Sequence, residues 1–256
     1  MYPLIDLTGR RIFIAGASKG IGRATAELMS KLGGKIILSA RNEDKLRETL
    51  SLLEGEGHAL KAFDFTDIGG IDALTKSVAG EIGPLDGLVW CVGITHDRPL
   101  NMIRPEDLEK VMRLNFNAFV ELVRCFTKRG RFNPGLRIVA VSSIAAIFGK
   151  KAHLSYSASK AALNAAIRNM QTELATKDIR LSAVMPGMVN TDMFQEYLRN
   201  NDGGMDSPDY KRLIQRQYLG IIEPEYVAST IAFLSSLAWG GGGYAFLPMG
   251  GIPQTE

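Results

Sequence analysis

Cysteine is nearly absent: Cys91 and Cys125 are the only two in 256 residues. Two thiols, read as lying in a buried strand and a buried helix, make no disulfide framework and suit a reducing compartment. No apolar run reaches the ~18 residues that a membrane-spanning helix needs. No basic, apolar, small-residue leader opens the chain, so the expectation is a cytoplasmic protein without a membrane partner. Histidines number three, and His96 and His153, on loops near the presumed cleft mouth, are too few and scattered for a metal site. They read as polar loop residues. A strong charge of either sign is missing too: 30 basic against 27 acidic residues leave +3, which argues against nucleic acid as a partner. No repeat, low-complexity tract or linker divides the chain, so residues 1–256 read as one domain.

What is present is a regular alternation. Short apolar runs at Arg11–Ala15, Lys35–Ser39, Leu60–Phe63, Gly87–Val92, Leu136–Val141, Ile179–Val184 and Gly243–Leu247 are separated by helical patterns. These include Glu43–Leu53 with Asn42 as N-cap, about 68–82, about 106–128, about 155–177, and one opened by Pro224. Strands alternating with helices imply parallel βαβ units and a doubly wound α/β sheet of seven strands. The strands are continuous apolar runs, as expected when helices cover both faces.

Two stretches carry chemistry. In the helix after Ser155, Tyr156 and Lys160 are four apart and share a face. A cation beside a phenol favours the phenolate and would draw its pKa down toward working pH, as a general acid/base requires. Ser142 and Ser143 end the fifth apolar run, and a hydroxyl there would hold a substrate oxygen while Tyr156 moves the proton. The other stretch is Gly16-x-x-x-Gly20-x-Gly22, between the first strand and first helix. There glycines allow a sharp turn, close approach of backbone N–H groups to a pyrophosphate, and tight helix–sheet packing.

Strand-Gly16-Ala17-Ser18-Lys19-Gly20-Ile21-Gly22-helix, Ser143 and Tyr156-x-x-x-Lys160 together resemble the short-chain dehydrogenase/reductase family across nearly the whole chain. The resemblance is nearest to its β-ketoacyl-acyl carrier protein reductases. It implies a Rossmann-type fold with strand order 3-2-1-4-5-6-7, a nicotinamide cofactor and a Ser143–Tyr156–Lys160 centre. The thirteen-residue spacing to the tyrosine selects Ser143 over Ser142. By the same resemblance Tyr156 donates a proton as hydride arrives, Lys160 also holds the nicotinamide ribose, and Asn115 completes a proton relay. Read without it, Asn115 is a polar helix residue. Cofactor contacts would come from Gly16, Ser18, Lys19, Gly20, Ile21, Gly22, Asp64, Phe65, Gly93, Tyr156, Lys160, Pro186, Gly187, Val189 and Thr191. Asp64 reads equally as a cap of the following turn. Where the family has Asn-Asn-Ala-Gly after the fourth strand, this chain has Trp90-Cys91-Val92-Gly93 and keeps only the glycine. Nothing cationic is expected beside Cys91, so it need not be reactive.

An NAD site places an acidic residue after the second strand. Here Ser39-Ala40-Arg41 stands instead, and Arg41 with Lys19 favours the 2′-phosphate of NADP(H) over NAD(H). Taken alone, Arg41 reads as a solvated surface residue. The insert at about 190–222, long and irregular, carries Met193, Phe194, Tyr197, Leu198, Met205, Tyr210, Leu213, Ile214 and Tyr218. It reads as a substrate lid or as a helix pair packing on the domain or a neighbour. Arg124, Lys128, Arg129, Arg131 and Lys177 form either a docking patch for an acyl carrier protein or a solvated basic face. The expected activity is NADPH-dependent reduction of a carbonyl, with 3-oxoacyl thioesters first. The alternatives are a sugar, polyol or other alcohol dehydrogenase and a non-catalytic NADPH-binding sensor or scaffold. A homodimer or homotetramer is implied by resemblance.

Overall fold

The computed structural model describes residues 5–200, 204–215, 217, 220–238 and 246–249. Seven parallel strands lie in the order β3-β2-β1-β4-β5-β6-β7. They are β1 (Arg11–Ala15), β2 (Lys35–Ala40), β3 (Ala59–Ala62), β4 (Leu85–Trp90), β5 (Phe132–Val141), β6 (Arg180–Pro186) and β7 (Phe246–Met249). Of the run expected at 243–247, residues 243–245 lie outside the described residues.

Alternation along each strand builds two cores, because successive side chains point to opposite faces. On one face Phe13, Leu88 and Ile138 pack against α3 (Ile71–Glu81), α5 (Ala118–Phe126) and α6 (Leu154–Leu174). On the other, Ile12, Ile14 and Val139 pack against α1 (Gly20–Lys31), α2 (Glu43–Leu50) and α9 (Pro224–Ser235). Asn42 caps α2, its side chain accepting from the Lys45 N–H at 2.9 Å. The order reverses between β1 and β4, and the crevice beyond the ends of these strands is where such sheets take ligands.

The structure departs from the sequence-based expectations in two places. The single helix expected at 106–128 is α4 (Pro105–Met112), a π-helical turn (Arg113–Asn117) and then α5. That turn carries Asn115, and such interruptions concentrate at functional sites. The insert is not irregular throughout: of its two readings, the helix pair is the one its described residues form. They make α7 (Asp192–Asn200), a 3₁₀ turn (Gly204–Asp206) and α8 (Pro208–Gln215). The Asn-Asn-Asp-Gly-Gly run between the helices masks them, whereas Ser207, whose hydroxyl accepts from the Tyr210 N–H at 3.1 Å, and Pro208 open α8 locally. Tyr218 lies outside the described residues. Among the described residues no helix is long and apolar enough to cross a membrane, and no three His, Cys, Asp or Glu gather as metal ligands.

Candidate active site

Two adjoining cavities open at the strand ends. One, of about 330 Å³, is lined by Gly16, Ser18, Lys19, Gly20, Ile21, Gly22, Arg41, Asp64, Phe65, Gly93, Tyr156, Lys160 and Thr191. The second, of about 260 Å³, is lined by Ser143, Tyr156, Pro186, Gly187, Val189 and Thr191 with apolar walls from Phe148, Met188, Met193, Phe194 and Tyr197. Ile21, Val141, Tyr156, Thr191 and Met193 belong to both. Every sequence-derived candidate except Asn115 therefore faces one groove.

The glycine loop shapes the first cavity. Gly16 and Ala17 donate to the carbonyl of Ser39 at 2.7 and 3.2 Å, pinning the loop to the end of β2. A Cβ at Gly22 would lie 2.1 Å from the Gly16 carbonyl oxygen, so no side chain fits there. Helix α1 begins without a capping side chain and without an acidic residue in its first turn. Its N–H groups and positive end are left for an anion. A close-packed glycine turn and an uncapped helix start facing a groove fit a pyrophosphate-bearing dinucleotide. Arg41 and Asp64 stand at the far side. Asp64 Oδ1 accepts from the Thr66 N–H and hydroxyl at 2.9 and 2.8 Å, so the residue caps its turn and lines the cavity at once. Those bonds, with the Arg41 charge, hold its carboxyl below the usual range. Lys19 is tied to Asp192 at 3.0 Å, an exposed pair joining the loop to α7.

Ser143 lies two residues past β5. Its hydroxyl caps the 3₁₀ turn Ile144–Ala146 by accepting from the Ala145 N–H at 3.1 Å. It also acts on the Tyr156 phenol as a hydrogen-bond partner that favours the phenolate. Burial outweighs that contribution, and the phenol is pushed up to about 12. The expected lowering of Tyr156 by Lys160 is corrected here. The Lys160 ammonium sits 5.6 Å from the centre of the Tyr156 ring and donates to the Val141 carbonyl at 2.8 Å. Burial drives Lys160 itself down, to about 8. Desolvation, which spacing along a helix does not reveal, dominates both groups.

Asn115 is fully buried. Its Nδ2 donates to the Ile94 carbonyl at 2.9 Å and to Ser159 Oγ at 3.0 Å, and its Oδ1 accepts from the Ile94 N–H at 2.9 Å. The carboxamide thus ties the loop after β4 to the turn of α6 next to Lys160. Gly93 completes this contact: a Cβ there would lie 3.3 Å from Lys160 Nζ and 3.5 Å from Asn115 Oδ1.

The Trp90-Cys91-Val92 departure has a packing consequence. Trp90 is fully buried, edge-on to Phe65 at 5.2 Å and tilted against Phe119 at 5.8 Å. It backs the aromatic wall of the first cavity in place of a polar residue, and its indole N–H has no partner. Cys91 has a cation in range after all, since the Lys160 charge acts on it. Burial prevails and pushes the thiol up to about 12, so it is inert as a nucleophile.

Sequence reasoning left Asp97, Lys150 and Gln217 unremarked and read His153 only as a polar loop residue near the cleft mouth; all four line the second cavity. His153 Nδ1 lies 2.7 Å from Asp97 Oδ1, and its ring packs 4.7 Å from that of Tyr156. Burial raises the Asp97 carboxyl, but the hydrogen bond and charge of His153, with Lys150 and His96, outweigh it and leave the group low. Gln217 accepts from the Met188 N–H at 2.7 Å and donates to the Met188 carbonyl at 3.0 Å, fastening the insert to the segment after β6. The basic patch lies at the surface, with Arg129 and Lys177 exposed and the other three in ion pairs. Arg124 pairs with Glu121 at 2.6 Å, and Lys128 and Arg131 both pair with Asp72 at 2.6 Å.

The chain matches the short chain dehydrogenase family over residues 10–202. It is 33% identical to a 3-oxoacyl-(acyl-carrier-protein) reductase of Rickettsia felis, over 91% of this chain and 92% of that protein. It is 30% identical to a glucose 1-dehydrogenase of Gluconobacter oxydans, over 89% of this chain and 85% of that protein. Among solved structures, a 3-oxoacyl (acyl-carrier-protein) reductase from Agrobacterium tumefaciens with NADP bound shares 25% identity. It has a TM-score of 0.83 and covers 96% of this chain and 95% of its own. By fold, by the glycine loop and by these matches, the chain belongs to the short chain dehydrogenase family and is an oxidoreductase acting on carbonyl and alcohol groups.

Proposed function

We propose that the chain reduces a carbonyl compound to its alcohol with NADPH, and that 3-oxoacyl thioesters are its substrates. The observation carrying this is the shared position of Tyr156, whose phenol meets Ser143 in an apolar-walled cavity while its ring also lines the glycine-loop groove. When bound, NADPH supplies the hydride. Gly16 to Gly22 would hold the pyrophosphate, Arg41 the 2′-phosphate, and Pro186 to Thr191 the nicotinamide end. Ser143 orients the substrate oxygen. Tyr156, kept protonated at neutral pH by burial, gives its proton to that oxygen. Lys160, positioned by Val141, Gly93 and the Asn115 tie, stabilises the phenolate that is left.

Helix α7, with Met193, Phe194 and Tyr197 on one side of the cavity, serves as the lid and excludes water. The names of the Rickettsia and Agrobacterium relatives support the thioester reading. An acyl carrier protein would be its bearer; Arg124, Lys128 and Arg131 lie in ion pairs, and the exposed Arg129 and Lys177 are the residues of that face left for an acidic carrier to meet. The glucose 1-dehydrogenase match supports the sugar alternative.

Nicotinamide oxidation followed against 3-oxoacyl thioesters, ketosugars and quinones tests this reading. We expect turnover of the thioesters, with kcat/KM at least about tenfold higher for NADPH than for NADH, since Arg41 can pair bidentately with a phosphate. Turnover confined to ketosugars would replace the substrate, and equal use of both nucleotides would remove the role given to Arg41.

A further inference from the structure

Beside the phenol lies a polar group that the proton transfer does not use. His153 is held from behind: Asp97 Oδ1 takes its Nδ1 at 2.7 Å, and Lys150 stands 3.9 Å from the other carboxylate oxygen. Its side chain is 11% exposed, against 36% for Asp97, so the carboxylate is the outer member and the ring the inner one. The ring packs on Tyr156, centre to centre 4.7 Å, and faces the same cavity. With Nδ1 engaged, Nε2 is the nitrogen available to a ligand. Phe148, Phe194 and Tyr197 line the same cavity.

We infer that His153, oriented by Asp97, donates from Nε2 to a second oxygen of the substrate when both ring nitrogens carry protons, and selects 1,3-dicarbonyl compounds over simple ketones. Carbons in a 1,3 relation lie about 2.5 Å apart. A keto oxygen on the Tyr156 hydroxyl therefore leaves the neighbouring carbonyl oxygen within reach of the adjacent ring. In a 3-oxoacyl thioester that second oxygen is the thioester carbonyl, and the apolar walls take the acyl chain. The inference rests on the reductase reading above and specifies what that site recognises. A site built to hydrogen-bond an oxygen rejects analogues lacking it, because its buried donor is then left unpaired.

The test compares reduction of 3-oxobutanoyl-N-acetylcysteamine and of 2-heptanone by wild type, His153→Leu and His153→Gln. Leucine fills the space without a donor, and glutamine keeps one. We expect His153→Leu to raise KM for the thioester by about ten- to a hundredfold with kcat little changed, and to leave 2-heptanone kinetics within about twofold. We expect His153→Gln to recover most of the loss at an unchanged melting temperature. Equal losses on both substrates, or none on the thioester, would overturn the subsite while leaving the reductase reading standing. A wild type that reduces the ketone but not the thioester removes the proposed occupant, and one that reduces neither removes both proposals.

Discussion

Tyr156→Phe lowers the rate of carbonyl reduction by about 10²- to 10⁴-fold, the range a positioned general acid contributes, and leaves NADPH affinity within about twofold. The phenylalanine ring keeps the contact with His153 and the wall shared by the two cavities. Only the hydroxyl beside Ser143 is lost. Single-turnover reduction and a fluorescence titration with NADPH separate the two effects. An unchanged rate would mean that another group gives the proton, and His153 or Lys160 would be next to test. In the oxidising direction the phenol must first lose its proton. With burial holding it near 12, alcohol oxidation by the wild type should climb with pH through the alkaline range, whereas reduction should not need alkali.

Lys160→Met abolishes turnover and makes the protein more stable. A lysine drawn from 10.5 to about 8 by burial binds fewer protons folded than unfolded between those values. That cost to folding is fully present below pH 8 and disappears as pH rises past 10.5. At 1.36 kcal/mol per unit the penalty at pH 7 is about 3 kcal/mol. Losing the bond to Val141 gives back about 1 kcal/mol, which leaves a net gain of about 2 kcal/mol for the methionine variant. Urea denaturation at pH 7 and pH 10 measures this. Wild type should gain stability between the two, and Lys160→Met should show neither the penalty nor that slope. A variant less stable than wild type at pH 7 would show that the ammonium is better solvated or better paired than its contacts imply. The trade of stability for a buried charge is what a functional lysine in this position predicts.

Much of this site is written in local spacing. Gly16, Gly20 and Gly22 are distributed within one turn, and Tyr156 and Lys160 on one helix face, so their proximity needs no knowledge of the rest of the fold. The end of an apolar strand points to Ser142 or Ser143, and the spacing to Tyr156 implied by the family resemblance selects Ser143. The residues that escaped are those brought together over long separations. Asp97 and His153 are 56 apart in sequence, and only His153 draws a reading, as a polar loop residue. Gln217 reaches back 29 residues to Met188. The π-helical turn at Asn115 also leaves no mark, because apolar residues on either side keep a helical rhythm through it. Nor does a sequence disclose the degree of burial, and that is why proximity alone gave Tyr156 the wrong direction of shift. In the insert the helix pair was one of two readings, and Gly and Asn punctuation left its helix bounds unread although Met193, Phe194 and Tyr197 marked an apolar face.

A crystal structure with NADP bound is the most direct measurement. The account predicts the hydroxyls of Tyr156 and Ser143 turned toward one point beside the nicotinamide ring, with the Lys160 ammonium on the ribose side and the 2′-phosphate against Arg41. Those two hydroxyls facing separate cavities, with the nicotinamide reaching neither, would contradict it.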